Sequence, residues 1–109
     1  NMKDNEMRIL NRIKSCTACV CYNDEVAISI INICKNNNIR VPEQLSLVSI
    51  DDSDLATLSE LPLTSVAYPV KELGKKAAEN LLKIIEDYNF DGSHKFLPAI
   101  SVRDSVKRV

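Results

Sequence analysis

The sequence predicts an α/β fold in which a mainly parallel sheet is flanked by helices. Two observations carry this. Short β-favouring runs alternate with longer stretches of helical periodicity, which is the signature of strands joined by helical crossovers. The first two runs also end in polar clusters that stop a strand and start a helix, Tyr22-Asn23-Asp24 and Asp51-Asp52-Ser53-Asp54.

In order, Glu6 to Lys14 reads as a helix with Met7, Ile9, Leu10 and Ile13 as its buried stripe. Thr17 to Tyr22 is a short strand of small, β-favouring residues. Asn23-Asp24 stops it and can cap a helix over Glu25 to Asn37, which Asn36, Asn37 and Asn38 then end. Val41-Pro42 reads as a turn, and Leu45 to Ile50 as the second strand. The aspartate run closes it ahead of a short helix over Leu55 to Glu60. Leu63 to Ala67 is extended. A long helix spans Val70 to Tyr88, with Leu73, Ala77, Leu81, Ile84 and Ile85 on its buried side. Asp91-Gly92 is a turn, and Phe96 to Val102 a final strand.

The helix after Asn23 carries more apolar surface than one sheet face needs. Val26, Ile30 and Ile33 lie on one side, Ala27, Ile31 and Cys34 on another, and Ile28 on a third. This predicts a second partner, either an adjacent helix or another subunit.

Composition excludes several function classes. Fourteen basic residues against fifteen acidic give a net charge of -1, without the basic face of a nucleic-acid binder. The longest apolar run, Val26 to Cys34, is broken by Ser29 and Asn32 and is far short of the roughly 20 residues that span a bilayer. No membrane association and no signal peptide are expected. Cys16 and Cys19 have CxxC spacing, but they lie ahead of and within a strand rather than at a helix start, where the dipole would lower a thiol pKa. The only histidine, His94, is distant. Structural buried thiols, without metal or cofactor, are therefore expected for Cys16, Cys19, Cys21 and Cys34, and unpaired thiols fit a cytoplasmic protein.

In parallel α/β sheets, ligands bind beyond the carboxyl ends of the strands. Both polar clusters lie there, side by side if the first two strands are neighbours. At these same places the sequence resembles the LacI/GalR family of transcriptional repressors. The carrying segments are CYNDEVA (Cys21 to Ala27), IRVPEQLSLVSIDDSDLA (Ile39 to Ala56), LTSVAYPVKELGKKAAENL (Leu63 to Leu81) and LPAISVRDSV (Leu97 to Val106). The closing VRDSV and the CYND strand end are most similar to the arabinose-type repressors, which join the effector domain to a GntR-like DNA reader.

The resemblance implies a periplasmic-binding-protein-like effector domain: two α/β lobes with a sugar in the cleft. This chain would be its C-terminal part. Residues 1–64 would belong to the second lobe, 65–92 would return to the first, and 93–109 would cross back. The family's ligand contacts fall on Asn23 and on Asp51, first of the paired aspartates. The chemistry suits a sugar, since a carboxylate accepts from two hydroxyls and an amide both donates and accepts. Asp24, Asp52 and Ser53 are expected to cap helices. Many family members carry Gly and an aromatic before the paired aspartates; here Ser49 and Ile50 stand there, which implies a different local pocket wall. The family's homodimer surface maps to Ile28, Asn32, Lys35, Leu55, Ala56, Leu58 and Ser59. The implied partners are an arabinose-like monosaccharide, a second copy of the chain, and operator DNA through a separate N-terminal domain.

Two other readings compete. A periplasmic or chemotactic sugar-binding protein shares the implied fold, but free thiols and the repressor-like ending argue against it. An enzyme holding magnesium on Asp51 to Asp54 would need phosphate-binding loops, and the chain has only two glycines.

Overall fold

The computed structural model describes the backbone of residues 2–108 and the side chains of residues 4–108. Four helices and four strands follow one another among the described residues: α1 (Met2–Ile13), β1 (Ala18–Val20), α2 (Asp24–Asn36), β2 (Ser46–Asp51), α3 (Asp54–Leu58), β3 (Thr64–Ala67), α4 (Val70–Glu86) and β4 (Ala99–Ser101). The sheet has the order β1-β2-β3-β4, with β1 parallel to β2 and β2 parallel to β3. The α/β reading and the order of its elements hold. The last strand is shorter than expected, three residues rather than seven.

The chain divides into two compact units, residues 1–67 with 100–109, and residues 68–99. In the first, Ile13, Cys21, Ala27, Ile30, Cys34, Leu45, Leu47, Ala56 and Leu63 form one buried cluster. Both α1 and α3 pack against α2, so neighbouring helices cover part of its surplus apolar surface. Of the stripe expected on α1, Leu10 and Ile13 are buried, whereas Met7 and Ile9 are exposed. Cys21 and Cys34 are buried as expected, but Cys19 is only half-buried and Cys16 is exposed. Burial, with Cys19 nearby, pushes the Cys21 thiol up to about 12, and burial raises Cys34 likewise. Both stay protonated at neutral pH and behave as small hydrophobes. No group of three or more His, Cys, Asp or Glu side chains among the described residues is placed to hold a metal ion.

In the second unit the apolar side of the long helix is uncovered: Leu73, Ala77, Leu81 and Ile85 are exposed, and Ile84 is half-buried. The buried residue of α4 is Asn80, whose amide donates to the Gly92 carbonyl. Periodicity reports that a helix has an apolar stripe, but not that residues 68–99 supply enough partners to cover it.

Candidate functional site

The carboxyl ends of β1 and β2 lie side by side because the strands pair in parallel from Ala18↔Ser46 to Val20↔Val48. The chain leaves β1 through Cys21, whose N–H donates to the Val48 carbonyl at 2.8 Å. It then turns at Asn23, which has extended backbone, and Asn23 Oδ1 accepts from the Val26 N–H at 2.9 Å to cap α2. That bond uses the amide oxygen and leaves the Nδ2 donor for another partner.

Asp24 does not cap a helix, contrary to expectation. It is 1% exposed, and its carboxylate joins three elements. Oδ1 accepts from Ser49 Oγ on β2 at 2.6 Å and from Ser65 Oγ on β3 at 2.8 Å. Oδ2 accepts from the N–H and Oγ of Ser53, ahead of α3, at 2.7 and 2.8 Å. Burial pushes this carboxyl up, but the bonds from Ser49, Ser53 and Ser65 outweigh it and hold Asp24 below the usual carboxylate value. Ser49 and Ser65 are register partners, both fully buried. A hydroxyl in such a place needs an acceptor, and Asp24 supplies one for each.

Asp52 and Ser53 also depart from the capping roles expected of them. Ser53 occupies the cap position of α3 but makes no side-chain cap bond; its hydroxyl is turned to Asp24. Asp52 Oδ1 lies 2.7 Å from Arg103 Nη1, a half-buried ion pair, and Oδ2 accepts from Ser101 Oγ at 2.6 Å. The Arg103 guanidinium holds the Asp52 carboxyl below its usual value against the upward push of burial, and Ser101 adds to this. The Asp52 N–H donates to Ser65 Oγ at 3.0 Å.

Asp51 and Asp52 have φ of 108° and 51°, two consecutive non-glycine residues in left-handed conformations. Each costs roughly 1–3 kcal/mol, so the surroundings must impose them. Asp51 is exposed. With Asn23, Asp24, Glu25, Ser53, Asp54 and Leu55 it lines a hollow of about 340 Å³ at the strand ends. The two residues expected to contact ligand, Asn23 and Asp51, thus share one hollow. A larger one, about 470 Å³, lies at the carboxyl end of α2 and is lined by Ile31, Lys35, Arg40 and Glu60 among others. The strand-end hollow is the candidate site because it alone of the two brings a capping amide and a strand-end carboxylate together.

The residues expected at a dimer surface fall into distinct settings. Leu58 is 80% exposed and Leu55 is 44% exposed. Asn32 and Lys35 are exposed, and Lys35 Nζ lies 2.8 Å from Glu60 Oε2. Ile28 is half-buried against the core. Ser59 is half-buried, its hydroxyl donating to the Leu61 carbonyl at 2.6 Å. Ala56 is fully buried and has no surface to offer another chain.

The sequence reading missed Ser65, Arg103 and Ser105. Ser105 is fully buried; its hydroxyl donates to the Leu47 carbonyl at 2.6 Å and accepts from the Thr64 N–H at 2.8 Å, stitching β2 to β3. A signal existed for Ser49, the register partner of Ser65. Along LSLVSI, Leu45, Leu47 and Ser49 alternate towards one face, so Ser49 stands where the pattern calls for an apolar residue.

Comparison with known proteins agrees with this architecture. Residues 2–106 match the periplasmic binding protein-like domain family. The arabinose metabolism transcriptional repressor of Geobacillus stearothermophilus is 39% identical over 95 residues, which are 85% of this chain and 26% of that protein. The solved complex of the transcriptional regulator CelR with cellobiose superposes with a TM-score of 0.81 at 27% identity, covering 92% of this chain and 31% of that one. A LacI family transcriptional regulator from Enterococcus faecium, solved with bound ribose, has a TM-score of 0.76 at 25% identity, covering 93% and 37%. The chain therefore spans about a quarter of the length of the curated relatives it matches.

Proposed function

We propose, for a chain that belongs to the periplasmic binding protein-like domain family, that it is the sugar-sensing and dimerisation part of a bacterial transcriptional repressor. The observation that carries this is the shared hollow of Asn23 and Asp51 at the ends of two parallel strands. It offers an amide donor and a carboxylate acceptor at the separation of neighbouring strands, which suits vicinal hydroxyls. The curated relative named for arabinose and the neighbours solved with cellobiose and ribose support a sugar as the effector. An arabinose-like monosaccharide is the specific proposal.

In this reading residues 1–64 are the later part of one lobe, residues 65–92 return to the other, and residues 93–109 cross back. The apolar stripe of α4 then packs on the rest of the other lobe, which accounts for its exposure here. No described helix is long and apolar enough to cross a membrane, and a repressor works in the cytoplasm. Contact with operator DNA belongs to a separate domain, since the net charge of this chain is -1. Sugar binding shifts the closure of the lobes and, through the dimer, the affinity for DNA.

The experiment is a mobility-shift titration of the complete protein on its own promoter DNA. L-Arabinose is expected to release the DNA while D-glucose at equal concentration leaves it bound. A complex indifferent to L-arabinose contradicts the proposed effector.

The dimer carries its own prediction. Leu58 is the most exposed apolar residue among the proposed interface positions and makes the sharper probe, because a charge at half-buried Ile28 would also disturb the core. Leu58→Lys in the complete protein is expected to give monomers in sedimentation equilibrium. A lysine buried in a self-facing interface must be desolvated at a cost of several kcal/mol. A dimer of unchanged strength places the interface elsewhere.

A further inference from the structure

We propose that Asp24, Ser65 and Asp52 are positioning residues that fix the Asp51 carboxylate at the hollow, with Ser101 and Arg103 anchoring Asp52. This rests on the reading of Asp51 as a sugar contact.

Two consecutive aspartates with φ of 108° and 51° do not hold that shape by themselves. The side-chain ties that impose it surround Asp52 and Ser53, while Asp51 itself is register-paired with Ala67 at the end of β2. On one side the Asp52 N–H donates to Ser65 Oγ, and the Asp52 carboxylate is held by Ser101 and Arg103. On the other, the Ser53 N–H and hydroxyl are held by Asp24.

The direction of these bonds is set by Asp24. An ionised carboxylate can only accept, so the Ser65 hydroxyl must point its hydrogen at Asp24 Oδ1. Its lone pairs are then left for the Asp52 N–H, as found. A buried charge 1% exposed thereby orders a hydroxyl, which orders a backbone amide, which aims the preceding side chain. Ser101 and Arg103 follow the long helix in sequence, so the far end of the chain also grips this turn. The orientation of the carboxylate that would read the sugar is thus decided by Ser65, Ser101 and Arg103, none of which lines the hollow.

The test is a double-mutant cycle by calorimetry on the complete protein. The probe is whichever of L-arabinose, D-ribose and D-glucose the wild type binds most tightly. Ser65→Ala is expected to weaken binding roughly tenfold, the loss of one well-placed hydrogen bond. Ser101→Ala removes a single tie nearer the surface and should fold normally; a roughly threefold loss is expected. In an Asp51→Ala background both substitutions should change affinity less than about twofold, because they act through Asp51. A general loss of structure would instead weaken binding by the same factor in both backgrounds, and that result overturns the proposal. Asp51→Ala that loses binding beside Ser65→Ala and Ser101→Ala that keep it overturns the positioning role alone. Asp51→Ala with wild-type affinity, or a wild type that binds none of the three sugars, overturns the sugar-contact reading and the positioning role with it.

Discussion

Asp24→Ala is expected to destabilise the protein by about 3–5 kcal/mol, a large part of the 5–15 kcal/mol typical of a domain. The substitution removes the acceptor of four hydrogen bonds at once. It strands the hydroxyls of Ser49 and Ser65, which are fully buried and cannot turn to water. Each unsatisfied buried donor costs about 1–3 kcal/mol, and relaxation of the exposed Ser53 keeps the sum below the additive limit. Asp24→Asn should cost less, because its oxygen still accepts while its NH2 faces donors. Urea denaturation followed by circular dichroism measures both; a loss under 1 kcal/mol for Asp24→Ala would contradict the role of this carboxylate.

The same group sets an acid limit. The folded pKa of Asp24, and that of Asp52, lies below the ordinary value of 3.8. Their contribution is therefore fully present above that value and is lost as pH falls through the folded pKa. Acid unfolding of the wild type should set in below about pH 4, and Asp24→Asn should show a shallower dependence there.

The second large effect concerns this chain by itself. It is expected to bind L-arabinose no more tightly than about 1 mM. A cleft between two lobes buries its ligand and excludes water, which strengthens every polar contact. Asp51 is exposed here, and a bond from its carboxylate to a sugar hydroxyl replaces a bond to water for little net gain. The exposed Leu81, Leu82 and Ile85 of α4 should also drive association between copies of the isolated chain. A chemical-shift titration of Asn23 and Asp51 measures the affinity. Micromolar binding would mean that the pocket is complete within these residues and that the two-lobe assignment is wrong.

The sequence was legible where a local signal and a tertiary role coincide. Asn23 follows a strand and precedes an apolar helix, and capping needs only its own neighbours, so its place could be read directly. The turn at Asp51 was legible as the end of LSLVSI, but its left-handed geometry was not, since no glycine marks it. Asp24, Asp52 and Ser53 were misread as caps because a polar residue at a helix start satisfies the local pattern whatever it bonds. Their actual partners stand 25 to 51 residues away, beyond the reach of any spacing rule. For α4 the periodicity was legible, and Leu73 and Leu81 form a stripe that the described residues leave exposed.

Calorimetric titration of L-arabinose into the complete protein measures whether Asp51 reads sugar hydroxyls. Asp51→Asn keeps the size of the side chain and removes its charge. It is predicted to weaken binding by about 1.5–3 kcal/mol, the strength of a hydrogen bond to a charged group. Wild-type affinity in Asp51→Asn would contradict the assignment.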